Sequence, residues 1–152
     1  MTLILESPDE LHDWVGKQIA VTDCLPITQE RIQQFAETTG DKQWIHTDVE
    51  RASRESPYGA TIAHGLLTLS LLSYFLQQAI EIRRARMAIN YGLNRVRFPA
   101  PVRAGSKVRA RFTLQQTRKV EDAIEAVFSV LIEEPGASKP CCVAEWIIRY
   151  YS

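Results

Sequence analysis

The sequence predicts an α+β fold, a mostly antiparallel sheet curved around one greasy helix. Three observations carry that prediction. Hydropathy spacing is helical in the first half of the chain and switches to a period of two after about residue 86. The stretch Gly65–Ala79 is apolar on nearly every side, so it belongs inside. Four strand-like runs then follow in close succession. Wrapping that sheet around that helix is the simplest way to bury both. With 152 residues, one domain over residues 1–152 is the expectation.

The elements follow in order. Ser7-Pro8-Asp9-Glu10 combines a capping side chain, a proline at the first helical position and acids over the positive end of a helix dipole. A short helix ending at Gly16 is predicted, then a strand over residues 18–25. A second helix opens at Thr28. Ile32, Phe35 and Ala36 supply its buried face, and Gly40 ends it in a left-handed conformation. From Asp41 to Ala63 the pattern is irregular, with a short surface helix over Asp48–Glu55 and turns at Pro57 and Gly59. A loop this long on a rigid scaffold is a natural place for chemistry.

Gly65–Ala79 is about 22 Å long as a helix and is predicted to be buried almost all round. Ser70, Ser73 and Gln77 fall on one narrow stripe that can face something polar. The strands are Met87–Phe98, Lys107–Gln115, Ile124–Glu133 and Cys142–Tyr151. In the second, Val108, Ala110, Phe112 and Leu114 face one way while Lys107, Arg109, Arg111 and Thr113 face the other, as in a half-solvated antiparallel strand.

Eighteen Lys and Arg balance eighteen Asp and Glu, so there is no excess of cations to hold nucleic acid. The arginines of Arg103–Arg111 alternate, which marks a solvated strand face. No segment approaches the roughly 20 apolar residues of a membrane span, and the N-terminus lacks the basic start of a secretory signal. The cysteines are Cys24 and the adjacent pair Cys141-Cys142. Their odd number and their spacing point to reduced thiols in a cytoplasm, acting as small apolar fillers and not as metal ligands.

Two places can carry chemistry. Asp41 and His46 lie in the loop after the second helix, where a carboxylate and an imidazole can share one water molecule. The ordinary pKa of an imidazole suits proton transfer near neutral pH. A surface pair or a turn cap is the blander reading of the two. Ala63-His64-Gly65 stands where the apolar helix begins, and a helix start offers unpaired N–H groups to a developing oxyanion. Gly65 lets a ligand approach the backbone, or else merely relieves crowding; His64 reads as a structural hydrogen-bonder. A positioned water, a proton acceptor, a proton donor and an oxyanion site together suit hydration of a double bond conjugated to a carbonyl.

Phe35-Ala36-Glu37-Thr38-Thr39-Gly40-Asp41, His46-Thr47-Asp48 and Thr61-Ile62-Ala63-His64-Gly65-Leu66-Leu67-Thr68-Leu69-Ser70-Leu71-Leu72 resemble the MaoC-like, (R)-specific enoyl-CoA hydratases. Ile89-Asn90-Tyr91-Gly92-Leu93-Asn94-Arg95-Val96-Arg97-Phe98-Pro99-Ala100-Pro101-Val102 is similar to the branch related to nodulation protein N. The likeness runs from about Thr28 to Tyr150. It implies a hot-dog fold, usually paired into a homodimer by joining sheets edge to edge. It implies an acyl-CoA substrate, with coenzyme A as part of that substrate and no separate cofactor or metal. The family's catalytic Asp and His fall on Asp41 and His46, its oxyanion glycine on Gly65, and a site-lining serine of some members on Ser73. Where many hydratases have Asn-Pro this chain has Gln43-Trp44, which gives Gln43 an amide to offer and makes Trp44 a core plug or a pocket wall. Arg95 and Arg97 are candidates for holding the coenzyme A moiety. Two other readings fit hot-dog proteins: an acyl-CoA thioesterase, and a non-catalytic acyl-binding subunit.

Overall fold

In the computed structural model, which describes residues 1–152, the chain starts with a short strand, β1 (Leu3–Leu5), and a 3-10 turn over Pro8–Trp14. An α-helix was the expectation for that second segment. Ser7 makes no capping bond with its side chain, and the tighter turn still delivers Leu11 to the core. The strand expected over residues 18–25 is two pieces, β2 (Gln18–Val21) and β3 (Leu25–Pro26). The exposed Asp23 and Cys24 lie between them. Cys24 is therefore not a buried filler, whereas Cys141 and Cys142 are.

Helix α1 (Gln29–Thr39) begins and ends as its sequence dictates. The Thr28 hydroxyl accepts from the Arg31 N–H, and Gly40 takes φ 80 while its N–H bonds the Ala36 carbonyl. Ile32 and Ala36 are buried. Two short helices follow, α2 (Trp44–Thr47) and α3 (Val49–Glu55); the first was not legible in the sequence.

The apolar segment forms α4 (Gly65–Ser70) and α5 (Leu72–Ala79), one run tightened at Leu71, whose N–H bonds back to Thr68. Leu67, Thr68, Leu71, Leu72, Phe75, Leu76 and Ala79 are buried. Leu66, Ser70, Ser73, Tyr74 and Gln77 are exposed, so burial is not all-round as the sequence predicts. The sheet of one chain covers only part of the helix circumference, and the open stripe contains the Ser70–Ser73–Gln77 line.

After β4 (Ile80–Ile82), which pairs with β1 in parallel, come β5 (Met87–Arg97), β6 (Lys107–Val120), β7 (Ala123–Glu133) and β8 (Cys142–Tyr151). The main sheet has the order β2-β6-β7-β8-β5, with every neighbouring pair antiparallel, and β3 also pairs with β6. Val108, Ala110, Phe112 and Leu114 of β6 are completely buried, as are Ala126, Phe128 and Ile132 of β7. These side chains, with Trp146, Ile148 and Tyr150 of β8, share one core with α4 and α5. On the outer face, Arg109 and Arg111 both bond Glu133, and Arg118 and Arg149 both bond Glu125. Strand β5 pairs only with β8, so its other edge is free.

Candidate active site

The site is built where the end of α1, helix α2 and the start of α4 meet. Left-handed Gly40 turns the chain out of α1 and hands it to Asp41, which is exposed. Asp41 bonds locally: its N–H reaches the Thr39 hydroxyl at 3.3 Å and its Oδ1 lies 3.5 Å from the Gln43 N–H. One turn of helix then carries His46 inward, to 6% exposure. The imidazole Nδ1 of His46 sits 2.6 Å from the carbonyl of Ile62, which can only accept. Nδ1 therefore carries the proton, and Nε2 keeps a free lone pair, the atom a general base needs. Gln29 braces the same turn. Its Nε2 donates to the His46 carbonyl at 2.8 Å, and its Oε1 accepts from the Thr61 hydroxyl at 2.5 Å.

His64 stands directly before α4 at 4% exposure. Its ring stacks on that of His46, with centroids 3.8 Å apart and planes 22° from parallel, and Phe35 packs against it at 4.9 Å. Its Nε2 lies 2.9 Å from the backbone carbonyl of Asp41 and 4.0 Å from Asp41 Oδ2. Ligating atoms of Asp41, His46 and His64 all fall within 4.8 Å of one another. One nitrogen of each ring is engaged with a backbone oxygen, and the two rings lie 22° from parallel.

Burial is the main influence on His46, and it pulls the imidazole pKa down. The bond to Ile62 works upward, His64 downward and Asp41 upward, and the sum lies below the ordinary value of 6.5. The imidazole is thus neutral at physiological pH.

Gly65 opens α4, so its N–H has no partner within the helix. The space a side chain would occupy there is already filled. A Cβ on Gly65 would stand 2.9 Å from two ring carbons of Phe98 and 3.0 Å from a third. The relief of crowding is therefore real: a side chain at this position would meet the Phe98 ring. Gly65, Thr68 and Phe98 also line a cavity of about 250 Å³ beside the Pro99–Val102 turn.

The remaining candidates lie elsewhere. Ser73 is about 12 Å further along the helix from Gly65. It lines two adjoining cavities, of about 270 Å³ and 260 Å³, which share Ser73, Asn90 and Trp146. Gln43 is exposed at the start of α2 and caps it with no side-chain bond, so no amide bridge replaces the missing Asn-Pro. Trp44 is half-buried beneath the Arg51 guanidinium, 4.2 Å from its ring centre, and is not a core plug. Arg95 and Arg97 are exposed on β5, where Arg97 donates to the Val96 carbonyl. Sequence reasoning missed the stacking role of His64 and the Gln29 brace, because both contacts join residues 17 or more positions apart.

Comparison with known proteins fits this geometry. A family model described as MaoC like domain matches residues 12–134. The chain belongs to the MaoC-like family. Its MaoC-like sequence is 46% identical over 146 residues to 3-hydroxyacyl-thioester dehydratase Z of Mycobacterium tuberculosis strain H37Rv, covering 95% of this chain and 96% of that protein. It is 41% identical over 135 residues to nodulation protein N of Rhizobium leguminosarum bv. viciae, covering 88% and 84%. Among solved structures, the monoamine oxidase regulatory protein from Archaeoglobus fulgius superposes on the MaoC-like chain with a TM-score of 0.79 at 21% identity, covering 100% and 98%. That likeness establishes the hot-dog arrangement of sheet and helix. No helix is long and apolar enough to cross a membrane.

Proposed function

We propose that this protein is an (R)-specific enoyl-thioester hydratase and, in reverse, a 3-hydroxyacyl-thioester dehydratase, acting on acyl-CoA. One observation carries the proposal: a buried imidazole, held neutral with Nε2 free, sits beside the Asp41 carboxylate at the start of the core helix. Its relatives support the same chemistry, since one with 46% identity is named for it.

The thioester oxygen of a trans-2-enoyl-CoA lies on the Gly65 N–H. Asp41 accepts a hydrogen bond from the O–H that the water keeps, and so orients it. His46 Nε2 takes the other proton as the water oxygen bonds to C3. The electron pair of the C2–C3 double bond moves into an enolate whose oxygen the Gly65 amide stabilises. The imidazolium returns its proton to C2 on the same face, leaving an (R)-3-hydroxyacyl-CoA and a neutral histidine. The acyl chain runs beside the helix toward Ser73, and Arg95 and Arg97 hold the coenzyme A phosphates. Coenzyme A arrives as part of the substrate, so the reaction calls for no further cofactor. The homodimer forms through the free edge of β5.

Steady-state hydration of crotonyl-CoA, followed by loss of enoyl absorbance, tests this reading. D41N and H46Q each lower kcat by about 10²- to 10⁴-fold while circular dichroism and Tm stay native. Free thiol released in step with that loss would identify a thioesterase instead. Full activity in either variant removes the mechanism.

A further inference from the structure

We infer that His64 is a positioning residue that sets the distance and orientation between Asp41 and His46. The inference rests on the hydratase reading, in which those two groups share one water. His64 touches both through different parts of one ring. Its edge holds the loop: Nε2 is 2.9 Å from the Asp41 carbonyl, and the other bonds of Asp41 run only to residues two positions away. Its face supports the base, 3.8 Å from the His46 ring and nearly parallel to it.

The hydrogen bonding fixes the tautomer. A carbonyl has no proton to give, so Nε2 of His64 is the donor. Its Nδ1 is buried and has no partner in the chain. A bare nitrogen there leaves one acceptor unpaired, whereas a proton there would leave a buried donor unpaired and add charge. His64 is thus the Nε2–H form while His46 is the Nδ1–H form. Two stacked imidazoles of opposite tautomer have different work to do. One offers a lone pair toward substrate, and the other spends its only donor on the chain that carries the carboxylate.

A structural plug of the same size would not need that donor. Phe35 already packs against the His64 ring, so an apolar side chain would fill the place without difficulty. The imidazole also sits one residue before Gly65. The dipeptide His64-Gly65 therefore ties together all three parts of the site: the carboxylate loop, the base and the amide that receives the carbonyl oxygen.

The test uses two His64 variants, a double-mutant cycle with D41N, and one measurement on the unaltered protein. H64F keeps the ring face and removes the donor; H64Q keeps a donor and removes the stack. Misplacing reacting groups by about 1 Å costs on the order of a hundredfold in rate. H64F is expected to lose about that much in kcat on crotonyl-CoA, with KM changed by less than about threefold. H64Q recovers part of the loss. In the H64F background, adding D41N costs much less than in the wild type, because the carboxylate is already out of place. A role in packing alone would leave the cost of D41N the same in both backgrounds, and that result overturns the inference. Wild-type kcat in H64F also overturns it. On the wild-type protein, ¹⁵N NMR of the histidine rings reads the tautomers directly and needs no variant to fold. An Nδ1–H form at His64 contradicts the inference even if hydratase activity is present. Absence of hydratase activity in the wild type removes the functional reading itself and leaves the tautomer result to stand separately.

Discussion

The proposed role of His46 as a base requires a neutral imidazole, and its surroundings keep it so. Burial lowers its pKa first; the Ile62 bond and Asp41 oppose that, and His64 adds to it, with a net fall below 6.5. The acid limb of kcat/KM for hydration is therefore expected to have its midpoint below 6.5, and a pH–rate profile checks this. A limb at or above 6.5 contradicts the assigned environment. The effect on stability has a definite sign. As pH falls past 6.5 the unfolded chain takes up a proton before the folded one does, so stability contributed by neutral His46 is full above 6.5 and is lost toward the lowered folded value. The stability difference between wild type and H46Q is therefore expected to change across that window and to be constant on either side of it, which urea titrations at a series of pH values check. Gly65 makes a second prediction at this scale. In G65A the new methyl meets the Phe98 ring, whose three nearest atoms are at 2.9–3.0 Å, and overpacking of this kind costs about 1–3 kcal/mol. Shortening the ring in G65A/F98A restores Tm toward that of F98A alone; a lowered Tm that persists in the double variant counts against the contact. The pairing of Asp41 with His46 was legible because only four residues, about one turn of helix, lie between them. The His64 stack was not, because it forms only when residues 46 and 64 are folded together.

At the scale of elements, the alternation of β6, β7 and β8 could be read directly because each has one face against the helix and one against water. The expected end of β6 at Gln115 was wrong for a physical reason. The register shifts between Leu114 and Gln116, which changes the phase of the alternation, and β6 continues to Val120 as a hairpin with β7. That extension places Arg118 beside Glu125. The Glu125 carboxylate is nearly inaccessible and takes one bond from Arg118 and one from Arg149, each 2.8 Å. The Arg118 bond leads in holding its pKa below the ordinary 4.5; burial opposes, and Arg149 helps. A carboxylate with a lowered folded pKa stabilises above its unfolded value and loses that contribution as pH falls through the folded one. E125Q is accordingly expected to have a lower Tm than wild type at pH 7, and the gap narrows as pH falls from 4.5 downward. Differential scanning calorimetry across that range checks it. A gap that is constant with pH would assign the loss to packing in place of charge.

For the whole molecule, the open stripe of the central helix and the free edge of β5 are the same question. The sequence placed apolar residues all round the helix, but nothing in it says how far one sheet reaches. In the structure β5 shows Met87, Ile89, Tyr91 and Leu93 at the surface, Tyr91 at 54% exposure, and Leu66 of the helix is 64% exposed. A long strand with an unpaired edge and apolar side chains invites another strand. Two copies joined antiparallel through β5 would satisfy both edges and lay a second wall over the cavities that share Ser73, Asn90 and Trp146. Such an interface is isologous, so any contact at it occurs twice and any disruption counts twice. I89E and L93E each place a carboxylate at that edge in both copies. Light scattering is expected to give twice the chain mass for wild type at micromolar concentration and the single chain mass for both variants, with circular dichroism unchanged. Because Leu93 also lines one of the cavities, I89E is the cleaner of the two: it lies outside both cavity walls, so loss of activity on longer enoyl chains in I89E would trace to the missing copy. A wild-type protein that remains a monomer at that concentration rules out pairing through β5.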